Sequence, residues 1–159
     1  VSGNVIRDPK LSWVLPGIML LMFGIKYRFH IDNNRNDREL VAYVKQLQNP
    51  DTHILICPRF YCLNFSYYYD RAAFSQVRGS ERFDVVDSHL RRGGVYSVWH
   101  ISEYSDNPNI ASASHILFVD AAASVTNPEN AVLEHLKSDM TLERTETFNE
   151  LFTVYEFRK

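Results

Sequence analysis

Apolar residues along this chain fall into short unbroken runs and into three-and-four spacings, and the two patterns alternate. Residues 11–25 carry one hydroxyl and no charge over fifteen positions. A polar stretch follows at 30–37, in which Asp32, Asn33, Asn34, Arg35, Asn36 and Asp37 offer several helix caps. Leu40, Val41, Val44 and Leu47 then recur at helical spacing until Asn49-Pro50 ends the segment. Residues 53–57 are a compact β-favouring run stopped by Pro58, the pattern of a strand buried on both faces.

An aromatic segment, 61–74, holds four of the nine tyrosines, and its part 65–74 reads as a short helix. A clearer helix is predicted over 81–92, with Phe83, Val86 and Leu90 on one side and Gly93-Gly94 as its stop. Residues 95–101 read as a second strand, 105–114 as a loop around Asp106-Asn107-Pro108-Asn109, and 115–119 as a third strand ending on Asp120. Asn127-Pro128-Glu129 opens a helix carrying Val132, Leu133 and Leu136. Residues 140–148 and 151–158 alternate apolar and polar positions around Asn149-Glu150, which predicts an antiparallel hairpin with one wet face.

This order predicts an α/β fold: a three-layer Rossmann-like domain over 30–159, mostly parallel sheet with an antiparallel C-terminal hairpin, preceded by one apolar helix within 1–29. The strand at 53–57 is the expected centre of the sheet, and the loop after it is where an open α/β sheet usually places its ligands. For the apolar run two readings stand. A membrane helix is favoured by Lys10 and Lys26, which can snorkel, and by Trp13, Tyr27 and Phe29 as interface residues. A buried core helix is the alternative, because fifteen residues is shorter than the roughly 20 that a bilayer crossing needs. A signal peptide is not supported, since no small-residue cleavage site follows the run.

Composition narrows the function. A hydrophobic content of 45% with 23% charged residues is that of an ordinary globular protein, and 159 residues suit one domain. The net charge of −2 shows no basic footprint, so nucleic acid is not an expected partner. Cys57 and Cys62, the only cysteines, exclude a disulfide scaffold; their spacing leaves one local bridge or two buried thiols open. The first residue is Val, which leads to the expectation of a fragment, a processed product or an incomplete reading frame, so that a part that does chemistry could be missing.

Motifs for chemistry are sparse. No glycine-rich dinucleotide or phosphate loop, no nucleophile elbow and no metal-ligand histidine spacing occurs, so no cofactor, metal or catalytic residue is assigned. His100, His115 and Asp120 could converge at strand ends, or act as ordinary sheet and capping residues. Asp84 and Asp87 fall one turn apart and read as a solvated face. The cluster Tyr67-Tyr68-Tyr69-Asp70-Arg71 could hold a sugar or a phosphate near a strand mouth, or could be an aromatic flap on the sheet.

Several pieces then resemble one family in order: Asn36-Asp37-Arg38-Glu39-Leu40-Val41-Ala42-Tyr43-Val44, the run 53–58, Tyr67-Tyr68-Tyr69-Asp70-Arg71, the strand at 95–101, and the closing run from Ile116 through Asn130-Ala131-Val132-Leu133 to Val154-Tyr155-Glu156-Phe157. Together they resemble the C-terminal end of bacterial dolichyl-phosphate-mannose protein mannosyltransferase-like enzymes, multi-span membrane glycosyltransferases of the GT-C superfamily. The resemblance implies an accessory domain outside the cell membrane, following a last transmembrane helix. It would not be catalytic by itself, and its partners would be the membrane, the transmembrane part of the same enzyme, and a polyprenyl-phosphate sugar or acceptor glycan. Arg59, Tyr68, Tyr69 and Asp70 are the contacts expected for an acceptor or for the membrane part. The alternative is a membrane-anchored α/β interaction module without enzymatic activity.

Overall fold

The structure, a computed structural model, describes residues 14–26, 36–76, 79 and 82–159. The chain divides into two units, Val1–Asn34 and Arg35–Lys159. In the first, the apolar run forms helix α1, Val14–Lys26. Its thirteen residues span about 20 Å at ~1.5 Å per residue, against a hydrocarbon core of ~30 Å. Among the described residues no helix is long and apolar enough to cross a membrane, so α1 falls short of the transmembrane helix expected within 1–29. Pro16 and Gly17 sit in its first turn, where a missing N–H leaves no intrahelical bond unmade. Ile18, Met19, Leu20, Leu21 and Met22 each expose more than half of their surface. The expected anchors Lys10, Trp13, Tyr27 and Phe29, and the connector at 30–35, lie outside the described residues.

The second unit runs α2 (Asp37–Leu47), β1 (Thr52–Cys57), a 3-10 turn at Arg59–Tyr61, α3 (Cys62–Tyr69), α4 (Arg71–Gln76), α5 (Arg82–Arg92), β2 (Val95–Ser97), α6 (Ile101–Ser105), α7 (Pro108–Ala111), β3 (His115–Ala121), α8 (Ala123–Thr126), α9 (Ala131–Asp139), β4 (Thr141–Phe148) and β5 (Phe152–Arg158). The five-stranded sheet has the order β2-β1-β3-β5-β4. β1 pairs in parallel with β2 and β3, and β5 runs antiparallel to both β3 and β4. The centre is therefore β3 rather than β1, because the C-terminal hairpin adds its two strands on the far side of β3. The 53–57 run is still buried on both faces, flanked by β2 and β3.

Alternation along the strands separates two clusters. Ile54, Ile56, Leu117, Val119 and Val154 face one way and pack with Leu40, Val41 and Val44 of α2, Cys62 and Phe65 of α3, and Val86 and Leu90 of α5. Leu55, Cys57, Ile116, Phe118 and Phe157 face the other way and meet Tyr104 of α6, Ile110 of α7, and Val132, Leu133 and Leu136 of α9. Helices thus cover both faces of the sheet, as the three-layer expectation requires.

The structure corrects three local readings. The strand expected over 95–101 stops at Ser97, because Glu103 reaches back to the backbone N–H groups of Trp99 and His100 and opens α6. Within the loop expected at 105–114, Asn107 accepts from the N–H of Asn109 at 3.1 Å and starts the short helix α7. The hairpin has no single wet face: β4 is an edge strand exposed on both sides along nearly its whole length, and only at its end does Phe148 meet Tyr43 of α2, ring centroids 5.6 Å apart. At the end of α5 the amide of Gly94, at φ 77°, donates to the Arg91 carbonyl at 3.1 Å, a left-handed cap that a side chain would strain.

Phe118 sits fully buried on the central strand, so Phe118→Ala is expected to lower stability by about 3–5 kcal/mol. Urea unfolding should show a lower midpoint at an unchanged slope, and an unchanged midpoint would contradict this packing of the core.

Candidate functional site

Parallel strands β1 and β2 end side by side, and the segments leaving them meet across a cavity of ≈ 490 Å³ lined by Arg59, Phe60, Phe83, Asp84, Trp99, His100 and Glu103. β1 leads through a cis Cys57–Pro58 peptide into the turn that carries Arg59 and Phe60. β2 leads into Trp99, His100 and then Glu103 on α6, while Phe83 and Asp84 come from the first turn of α5.

Arg59 is the cation of this cavity. Its Nη2 lies 3.7 Å from Asp87 Oδ2 and its Nη1 3.8 Å from Glu103 Oε1, and its guanidinium carbon stands 4.8 Å from the centroid of the Phe83 ring. Among the described residues Arg59 Nε is buried without a hydrogen-bond partner. Glu103 is held through one oxygen, since Oε2 accepts from the N–H of Trp99 and, at 3.1 Å, from that of His100, which leaves Oε1 to face Arg59. Phe60 and Trp99 form a tilted aromatic pair, centroids 5.9 Å apart, and Phe60 is 55% exposed. An exposed Phe beside an Arg and two carboxylates offers apolar faces and hydrogen-bonding edges together, the mixture that small-molecule sites use.

Of the four residues singled out from the sequence, Arg59 alone lines this cavity. Tyr68 is exposed beside Tyr67 in a separate hollow with Asp37, Leu63 and Arg82. Tyr69 stacks on Phe65 and donates its hydroxyl to Gln48 Oε1 at 2.7 Å, fastening α3 to the end of α2; burial raises its pKa. Asp70 starts α4: its Oδ1 accepts from the N–H of Ala73 at 3.0 Å, and its Oδ2 pairs with His89 Nε2 at 3.0 Å. The Ala73 N–H, and after it His89, hold the Asp70 carboxyl below its usual range.

The three strand-end residues do not converge. His115 and Asp120 lie at opposite ends of β3, in register with Thr52 and Cys57. Asp120 accepts from Asn130 Nδ2 at 3.1 Å. His115 is buried between Thr52 Oγ1 at 2.7 Å and Glu156 Oε1 at 3.0 Å. That hydroxyl, imidazole and carboxylate have the order of a hydrolytic triad. All three are buried, however, and Thr52 Oγ1 also accepts from the N–H of Asn49, so the line staples β1, β3 and β5 together. Asp87, read from the sequence as part of a solvated face, is buried and bound by Arg59, Arg91 and Ser97.

Cys57 and Cys62 are free and belong to clusters on opposite faces of the sheet, so of the two readings the buried thiols hold. Among the described residues no group of three or more His, Cys, Asp or Glu side chains is placed to hold a metal ion. Sequence reasoning missed Phe60, Phe83, Trp99 and Glu103. Trp99 and Glu103 carried a usable signal, an acid four residues after a Trp at a strand end, but it was absorbed into an overlong strand. Comparison with family models, with curated proteins and with solved structures gives no match.

Asp70→Ala removes a helix cap and should cost about 1 kcal/mol at neutral pH. Because the folded-state pKa of Asp70 is depressed, its contribution is present above the unfolded value and is lost as pH falls through the folded value, so wild type and variant should converge in acid unfolding curves. Burial pushes the Cys57 thiol up to about 11 and the Cys62 thiol up to about 12. Folded protein at pH 8 should therefore resist a thiol reagent that labels both cysteines in urea, and rapid native labelling would contradict this burial.

Proposed function

We propose that the α/β unit is an accessory, non-catalytic domain of a polyprenyl-phosphate-sugar-dependent membrane glycosyltransferase, placed on the extracytoplasmic side, and that its Arg59 cavity contacts the acceptor glycan. The observation that carries this reading is the lining of that cavity. A pyranose presents C–H faces and a rim of hydroxyls; Phe60 and Trp99 match the faces, and Arg59, Asp84 and Glu103 match the rim.

The same lining argues against a reaction here. Glu103 already accepts from two backbone N–H groups through Oε2 and faces Arg59 through Oε1, so it serves first to hold the loop and the guanidinium in place. The resemblance of the chain to the C-terminal end of GT-C enzymes supports a division in which a transmembrane part transfers the sugar. The composition of α1 supports a membrane setting: an apolar helix exposed over consecutive positions needs an apolar surrounding.

Saturation-transfer NMR on the full chain against neutral mono- and disaccharides, mannosides included, tests the reading. Ring C–H signals should saturate at millimolar sugar and disappear in Trp99→Ala, with at least a tenfold loss of affinity. No saturation with any sugar, or saturation unaffected by Trp99→Ala, would overturn it in favour of an interaction module without a glycan ligand.

A further inference from the structure

At the opposite ends of the same strands lies a second cavity, ≈ 560 Å³, with a mainly polar wall. Arg91 and Arg92 at the end of α5 line it, with His53 of β1, Gln48 and Asn49 from the turn before β1, and Asn109 of α7. No Asp or Glu is among its lining residues, although the chain as a whole carries net charge −2.

The hydrogen bonds within this wall give it a polarity. Two of its side-chain acceptors are already used: Gln48 Oε1 receives the Tyr69 hydroxyl at 2.7 Å, and Asn49 Oδ1 receives the N–H of Asp51 at 2.9 Å. Its donors are in surplus. Arg91 commits Nε to Asp87 Oδ2 at 2.7 Å, while Arg92 has no carboxylate within ion-pair distance among the described residues. Among the described residues His53 Nδ1 is buried without a hydrogen-bond partner. Asp70, which lines a separate hollow shared with Arg92, is paired with His89. A polar cavity with two guanidinium groups and an imidazole, and with no acid on its wall among the described residues, is complementary to a compact, multiply charged anion.

We propose that this cavity binds a phosphate or diphosphate group, with Arg92 as the principal contact and Arg91, His53 and the Gln48 amide completing the set. The volume exceeds that needed by the anion itself and leaves room for the group it is esterified to. The site is separate from the Arg59 cavity and does not depend on the glycan reading.

The test is a titration of the full chain with pyrophosphate, read by amide NMR and calorimetry. Saturable shifts are expected at Gly93, Gly94, His53 and Asn109. Arg92→Glu should weaken binding at least tenfold, Arg92→Lys should retain part of it, and Arg38→Glu, on the exposed face of α2, should leave it unchanged. Vesicles with and without phosphatidic acid, added in competition, separate the sources of the anion. Displacement of pyrophosphate by phosphatidic acid vesicles assigns a lipid headgroup, and displacement only by soluble phosphate esters assigns a free ligand; both support the site. Absence of saturable binding to either probe overturns the proposal, as does equal loss in Arg92→Glu and Arg38→Glu.

Discussion

Asp87 is a charge that the protein keeps inside, and the positions of its neighbours are set by keeping it satisfied. Its side chain is 7% exposed. The Ser97 hydroxyl donates to Oδ1, Arg91 Nε donates to Oδ2 at 2.7 Å, and Arg59 Nη2 stands 3.7 Å from the same oxygen. A buried carboxylate stripped of its partners is destabilising by about 3–5 kcal/mol, a large part of the stability of a domain this size. Three elements are consequently tied to one point: the last residue of β2, the turn after β1, and the end of α5. Arg59 is held over its cavity by this tether as much as by Glu103.

The same helix supplies both cavities. The first turn of α5 gives Phe83 and Asp84 to the cavity at the C-terminal strand ends, and its last turn gives Arg91 and Arg92 to the cavity at the N-terminal ends. Acids at a helix start and bases at its end are what the helix dipole favours. The consequence reaches beyond the helix. One end of the sheet acquires carboxylates beside aromatic rings, and the other acquires two guanidinium groups, of which Arg91 is tied to Asp87. Asp87 lies between them and binds an arginine from each.

Element types were legible in the chain where burial is two-sided or periodic. Residues 53–57 and 115–119 could hardly be other than inner strands, and Leu40, Val41, Val44 and Leu47 mark one face of a helix. The hairpin was legible in its alternation, but its place was not: nothing in Phe152 to Arg158 says that β5 joins β3 and pushes β1 off centre. Asp87 was misread for a related reason. An acid one turn from another acid has the pattern of a wet face, and only the tertiary approach of Arg59 and Ser97 makes burial tolerable. The residues that line the Arg59 cavity scatter for the same cause, since Phe60, Phe83, Trp99 and Glu103 come from three separated segments that meet only when β1 and β2 pair. Tyr69 and Asp70 drew notice as a dense polar and aromatic cluster, and that density proves to be fastening, a hydroxyl on Gln48 and a carboxylate capping α4.

Whether a cavity reacts or only binds depends on what its polar groups have left to give. Around Arg59 the one carboxylate that is well oriented, Glu103, is already committed to two backbone N–H groups and stands 3.8 Å from a guanidinium. A general acid needs a proton to lose, and a general base needs a lone pair free to receive one. Cys57, at the nearby end of β1, is no substitute nucleophile, since burial keeps it a thiol at neutral pH. The groups that remain available are exposed ring faces and the outer edges of Arg59 and Asp84. Such groups offer a ligand apolar faces and hydrogen-bonding edges in fixed positions.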